Sequence, residues 1–439
     1  MTPRLAIGAA VVVAVNLTAI YLGSRAVSTQ ERSDRVTVIY WEKWTGGEGE
    51  AMREIVDDFN KSQDKIHVKY LSISGVDRKT MLAASGGSPP DIAGIWQDQV
   101  IQFDDLGALS DMMPLAREKG ITATHYIKGY WDPLYQEGRL LGLPSTPASI
   151  GLYVRPDLVP KEHATPETFP KTLEELDALS DRITKRGANG QIELAGFLPG
   201  NPGWWNWAWA YYFGGSLMKD GKPFINSPEN IRAFTWIQRY SKKYGAQAVQ
   251  SFQSGFGNFS SPQDPFMDGK VASEMNGVWK PNYIRLNKPD TPYFAVPFPY
   301  PADRPDLAGH ANLSQDVLVI PTGAKHSKEA FEFIAFVQRQ DVMEKLCSLH
   351  GKNSPLAKVS AEFEKGHPNP YIKLFDQLAR SPKAFNPPKT GMYPQISGEV
   401  SNAFQQVNSG LKEPKEALQE AQDRVMKLWK VYSEQVKRQ

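Results

Sequence analysis

The residues best placed to do chemistry in this chain are tryptophans at the ends of apolar runs and turns. Trp41 and Trp44 close the run that starts at Val36, and Trp96 closes the run that starts at Asp91. Trp204 and Trp205 follow Asn201-Pro202-Gly203, and Trp279 follows Asn276-Gly277. An indole presents an apolar face and a single N–H donor at its edge. Several of them beside polar groups make a surface suited to a ligand with apolar faces and hydrogen-bonding edges, the division found in a sugar ring. Trp207, Trp209 and Trp236 are followed by more apolar residues and read as core.

Catalytic signatures are sparse. The 7 histidines are scattered at positions 67, 125, 163, 310, 326, 350 and 367, and none forms a His-Glu-x-x-His pair, so the sequence offers no zinc-protease site. It has no Gly-x-Ser-x-Gly elbow, no phosphate loop and no dinucleotide fingerprint. Thr45 to Glu50 is glycine-rich, but its spacing reads as a turn with acidic residues at a helix start. Asp57-Asp58 and Asp104-Asp105 are adjacent on single elements and read as solvated surface. A glycoside-cleaving site needs two carboxylates about 5–5.5 Å or 6.5–9.5 Å apart. Glu42, Asp98 and Glu274 are the candidates near the tryptophans. The single cysteine, Cys347, excludes an intrachain disulfide or a multi-cysteine metal site, and beside Leu346 and Leu349 it reads as a small buried hydrophobe. Lys plus Arg is 50 and Asp plus Glu is 48, a balance that argues against a broad basic face for nucleic acid.

The elements that must position these residues alternate. Val36 to Trp41 predicts a strand, and Ala51, Met52, Ile55, Val56 and Phe59 form the stripe of a following helix. Ile66, Val68 and Tyr70 alternate as a second strand, Arg78 to Ala84 reads as a helix, and Asp91 to Trp96 as a third strand. Such alternation implies an α/β layer with a mostly parallel sheet. Thr172-Leu173-Glu174-Glu175 is a capping box, and Ser227-Pro228-Glu229 sets an N-cap before a first-turn proline. Val271–Met275, Tyr293–Val296 and Val317–Ile320 read as strands. Helices follow from Ser327 and from about Pro414. Before all of this, Arg4 precedes an uncharged run from Leu5 to Ser24, so residues 1–30 read as an export signal or an uncleaved membrane anchor. Ser24 and Ala26 have small-x-small spacing for cleavage. Either outcome places the remainder outside the cytoplasm.

Several segments, in order, resemble the bacterial extracellular solute-binding protein family 1, the sugar-binding subunits of ABC importers. They are SGGSPPDIAGIW, GRLLGLPSTPASIGLYVRPDL, FPKTLEELDALSDRI, FMDGKVASEMNGVW, DVLVIPTGAKHSKEAFEFIAFV and KEPKEALQEAQDRV. Leu141 and Leu173 stand where the family often has aromatics, and GHANLSQD departs from its common Gly-Gly-Ser. The resemblance implies a type II periplasmic-binding-protein fold: two discontinuous α/β lobes joined by crossover strands. One lobe would comprise 35–147 plus 300–350, the other 148–299 plus 351–439. The first crossover would lie near Ser145–Gly151 and the return near Pro299–Ala308. It further implies a carbohydrate ligand between the lobes, ABC permease subunits as partners, a monomer without cofactor, metal or nucleic acid, and no catalysis; a membrane-tethered sugar sensor of the same fold and an exported carbohydrate-active enzyme are the alternative readings. The implied ligand positions are Glu42, Lys43 and Trp44 after the first strand, and Trp96, Gln97 and Asp98 after the third. Ser149 comes from the crossover, Trp204 or Trp205 from the Pro-Gly-Trp-Trp turn, and Asn276 and Trp279 from a strand-turn-helix. Asn312 and Ser314 come from the return, and Tyr393 from a helix start.

Overall fold

In a computed structural model, residues 35–257 and 260–436 are described; the leader expected at 1–30 lies outside them. The strands that organise the molecule are β1 (Val36–Glu42), β2 (Ile66–Ser72), β3 (Ile92–Trp96), β4 (Leu143–Val154), β5 (Ser273–Gly277), β6 (Phe294–Val296), β7 (Ala311–Val319) and β8 (Ala384–Phe385). They form an 8-stranded sheet in the order β5-β4-β7-β3-β1-β2, with β6 also paired to β4 and β8 to β7. β1 runs parallel to β2 and β3, as the helix crossovers between them require. The sheet as a whole is mixed, not mostly parallel, because β7 is antiparallel to both β3 and β4.

β4 carries the architecture. All of Leu143–Val154 is buried, as expected for a strand covered on both faces. Its first half pairs with β7, Leu318 facing Leu143 and Leu313 facing Ser149. Its second half pairs with β5 and β6, Val154 facing both Ser273 and Phe294. The expected first crossover falls inside this strand. The expected return at 299–308 does not form a strand; Pro305–Leu307 makes one 3₁₀ turn, and β7 crosses back a few residues later.

The principal helices are α1 (Gly46–Ser62), α2 (Val76–Ser85), α3 (Leu173–Ile183), α4 (Pro228–Tyr244), α5 (Lys280–Asn287), α6 (Ser327–Val337), α7 (Gln340–His350), α8 (Ile372–Arg380), α9 (Tyr393–Asn408) and α10 (Pro414–Val436). The sequence signals for their starts act as predicted. Thr172 Oγ1 accepts from the Glu175 amide at 3.3 Å while Glu175 accepts from the Thr172 amide at 3.0 Å. Ser227 accepts from the Asn230 amide at 3.2 Å. α1 buries Ala51, Met52, Ile55, Val56 and Phe59, the stripe read from the sequence.

Two large cores result. The first joins β1 to β3 with α1, α6 and α7. The second joins α3, α4, α9 and α10 to the far half of β4. The sequence reading puts all of 351–439 with the second lobe. Phe363, Ile372, Phe375 and Leu378 pack in the first core together with Tyr153, Phe266 and Val278, while Tyr371 and Phe385 pack against the second, so contacts in this stretch run across the two cores. The reason is local: α8 packs on β4, with the Phe375 ring 5.7 Å from Tyr153, so this helix covers the shared strand.

Candidate functional site

Between the two cores lies a cavity of ≈ 420 Å³. Six tryptophans line it: Trp44, Trp96, Trp204, Trp205, Trp207 and Trp279. Trp44 and Trp96 come from the carboxyl ends of β1 and β3, where ligands of open α/β sheets bind. Their rings meet edge to face at 5.3 Å. A second group holds Trp204 and Trp205, 5.4 Å apart, and Trp279, 6.1 Å from Trp205. Ala148 and Ile150 of β4, Ser314 and Gln315 of β7, and Tyr393 and Ser397 of α9 also line the cavity. Trp96 and Trp204 are exposed by 38% and 42%, an unusual exposure for residues of this size and one directed at the cleft.

Behind the aromatic faces the charges are paired. Asp316, from β7, accepts from Thr146 Oγ1 at 2.6 Å, and its two oxygens lie 3.1 Å from Lys43 Nζ and 3.3 Å from Lys352 Nζ. Burial opposes ionisation of Asp316, but the two ammonium groups hold its carboxyl below the usual range. At the start of α5, next to Trp279 in the chain, Glu274 and Asp264 share Lys280, at 2.6 and 2.7 Å. Glu274 also accepts from Asn276 at 2.9 Å and from Asn201 at 3.1 Å. This ties the turn that carries Trp204 to the helix start that carries Trp279. Asp98 faces the cavity without such a cation; burial, then the neighbouring charge of Asp77, push its carboxyl up to about 7. Glu48 lines the mouth. Burial works against its charge, but His350 and Lys352 hold it below the usual range.

Of the residues expected at the ligand, the cavity brings together Trp44, Trp96, Asp98, Trp204, Trp205, Trp279, Ser314 and Tyr393. The others lie behind it. Glu42 is in phase with the inward-facing Val38 and Tyr40, so it points into the core and accepts from Tyr40 Oη at 2.6 Å. Lys43 is drawn to Asp316. Gln97 is buried and donates to Asn386 at 3.0 Å. Ser149 donates to Asn353 and to the Phe375 carbonyl. Asn276 lies within β5, not on a turn, and is held by Glu274. Asn312 is buried where β8 covers β7, in register with Phe385. Trp207 is both core and cavity wall. The sequence reading missed Glu48, Asp316 and Lys352, whose partners are remote in the chain. The two-carboxylate arrangement does not assemble from its candidates, since Glu42 and Glu274 are buried and bonded away from the cavity that Asp98 lines.

The model of bacterial extracellular solute-binding proteins matches residues 43–344. The chain belongs to that family, a family of binding proteins whose fold is the two-lobed periplasmic-binding-protein fold. Its relatives carry different cargoes. The sn-glycerol-3-phosphate-binding periplasmic protein of Pectobacterium atrosepticum is 22% identical over 88% of this chain and 89% of its own. The multiple sugar-binding protein of Streptococcus mutans is 22% identical over 82% of this chain and 85% of its own. The solved structure of CpMnBP1 with mannobiose bound is 26% identical, with a TM-score of 0.80, and matches 89% of this chain and 100% of that one. The GacH receptor of Streptomyces glaucescens, solved unliganded and with acarbose, is similar in fold, with a TM-score of 0.73 at 19% identity over 90% of this chain and 99% of its own.

Proposed function

We propose that the protein binds an uncharged sugar in the interlobe cavity and delivers it to an ABC importer. The observation that carries this reading is one cavity lined by six tryptophans from separate stretches of the chain together with polar side chains. Indole faces stack on sugar C–H faces, while Asp98, Ser314, Gln315 and Glu48 supply the hydrogen bonds that orient hydroxyls. A volume of ≈ 420 Å³ is at the small end of the roughly 300–1,000 Å³ range of ligand sites. It suits a short saccharide such as the mannobiose of the similar structure.

Cavity charge favours a neutral cargo over a phosphorylated one. Among the lining residues the cation is Lys352, held by Asp316 and Thr146, while Glu48 and Asp316 carry carboxylates and Asp98 adds a third as pH rises through about 7. A phosphate would meet more negative than positive charge. Calorimetry and thermal shift with mannobiose, maltose, other short saccharides and sn-glycerol 3-phosphate test this. Saturable binding of a neutral saccharide is expected. Binding of the phosphate ester alone, or of no saccharide, refutes the reading.

The protein acts as a monomer outside the cytoplasm, without turnover of its ligand, and its 1–30 segment is either removed or kept as an anchor. Among the described residues no helix is long and apolar enough to cross a membrane. Mass spectrometry of the mature N-terminus and light scattering decide the processing and the oligomeric state. Ligand contacts on both lobes favour the closed arrangement, the form a permease would recognise.

A further inference from the structure

We infer that Asp316 is the positioning residue of the cleft: through Lys43 and Lys352 it fixes three of the tryptophan rings that line the cavity, Trp44, Trp96 and Trp279. The inference rests on the ligand-binding reading of the cavity, and its first readout needs no ligand.

Asp316 is 2% exposed and lies on β7, the strand that crosses between lobes. Lys43 Nζ, 3.1 Å from its Oδ1, stands 4.5 Å from the Trp96 ring centroid and 4.9 Å from that of Trp44. Lys352 Nζ, 3.3 Å from its Oδ2, stands 4.8 Å from Trp44 and 5.6 Å from Trp279. Ring and ammonium thus alternate from Trp96 through Lys43, Trp44 and Lys352 to Trp279. Trp96 and Trp44 follow strands of the first core, whereas Trp279 packs against both cores, so the row runs from one side of the cleft to the junction of the two cores. An ammonium over an indole face is attractive, and more so where water is excluded. That attraction needs an ammonium fixed over the ring; Asp316 is the carboxylate the two lysines share, and Glu42 Oε1 holds Lys43 Nζ from the other side at 3.3 Å.

Thr146 completes the anchor. It donates to Asp316 Oδ2 at 2.6 Å and accepts from Lys352 Nζ at 3.0 Å, so the carboxylate and the second lysine are also tied to β4. Removing the carboxylate would leave two buried ammonium groups without their common anion, an arrangement that buried charges do not tolerate in place. Of these partners Lys43 would keep Glu42 and Lys352 the Thr146 hydroxyl, so both ammonium groups would shift and the rings would lose their fixed contacts. Asp316 thus acts on the ligand chiefly through its lysines and their rings. Its absence from the sequence-level candidates follows from the remoteness of its partners.

The test uses Asp316→Asn in the full chain labelled with 5-fluorotryptophan, each fluorine resonance being assigned by single Trp→Phe replacements. Without sugar, the resonances of Trp44, Trp96 and Trp279 are expected to shift and broaden, while those of Trp209 and Trp236 in the second core stay in place. Affinity for the saccharide bound by the parent protein is expected to fall at least tenfold. If Asp316→Asn does not fold, Lys352→Met keeps the Asp316–Lys43 pair, and it should move Trp44 and Trp279 while leaving Trp96. Unmoved Trp44 and Trp279 resonances in either folded variant overturn the inference. Moved resonances in a protein whose parent form binds no saccharide support the positioning role and refute the sugar reading.

Discussion

Replacing Gly277 by alanine should displace Trp279 without removing it. Gly277 ends β5, and a methyl group there would lie 2.3 Å from Cη2 and Cζ3 of Trp279 and 2.5 Å from Cζ2. Carbon contacts settle at about 3.5–4.0 Å, so the indole must retreat by roughly 1–2 Å. It retreats among Trp205, with centroids 6.1 Å apart, and Lys352 Nζ, 5.6 Å from the ring. A radial gap of about 0.5–1 Å already forfeits roughly a quarter to a half of a dispersion contact. Losing most of one aromatic stacking contact corresponds to about 1–1.5 kcal/mol, or roughly a tenfold weaker Kd. The assay is calorimetry with the parent protein's saccharide on Gly277→Ala, Trp279→Ala and the double variant. Because both substitutions act on one ring, the double variant should bind no more weakly than Trp279→Ala alone. Wild-type affinity in Gly277→Ala, or losses that add in the double variant, would refute the reasoning.

Asp98→Asn should change the pH dependence of stability. Asp98 titrates near 7 in the folded protein, raised by burial and then by Asp77, against about 3.9 in the unfolded chain. The folded state therefore retains a proton that the unfolded state has released. Stability from this group is full below about pH 4 and is lost as pH rises through 7. The variant's Tm should equal the parent's near pH 4 and exceed it at pH 8; parallel profiles would count against the assignment. Cys347 is fully buried, and burial pushes its thiol well above the usual range, so a disulfide reagent should modify it only in denaturant. Rapid modification of the native protein would contradict that. Gly94→Ala places a methyl 2.0 Å from Glu42 Oε2, a side chain also bonded to Tyr40, so it should lower Tm by several degrees or abolish folding. Unchanged thermal stability would show that Glu42 has room to move.

The tryptophans were legible because each follows a turn signal or a strand end, and such positions in an α/β sheet face the crevice. Trp204 and Trp205 after Pro202-Gly203, and Trp279 after Gly277, are of this kind. Glu42, Gln97, Asn276 and Asn312 are buried behind the cavity, and their burial follows from strand phase and from packing partners that the sequence does not display. Asn312 faces a two-residue strand contributed from position 384 onward, a pairing with no local trace. Asp316 and Lys352 escaped notice because their significance depends on Lys43 and Thr146, brought to them by the crossing of β4 and β7. The packing of α8 on β4 was hidden for the same kind of reason: its ordinary amphipathic pattern says that it buries a face but not against what.

The strand β4 also governs the order in which the molecule can be completed. Its partner β7 lies far along the chain, the Thr146–Asp316 bond alone spanning 170 positions. β3 has the same partner, so the central sheet has an open gap until the chain has been made as far as residue 319. Neither half can close its own layer early and wait for the other. Loop-closure entropy must be overcome before the long-range pairing stabilises anything, which makes assembly slow and late relative to synthesis. A growing chain that stops before β7 should remain open to proteases, whereas one that extends beyond it gains both missing edges in a single step.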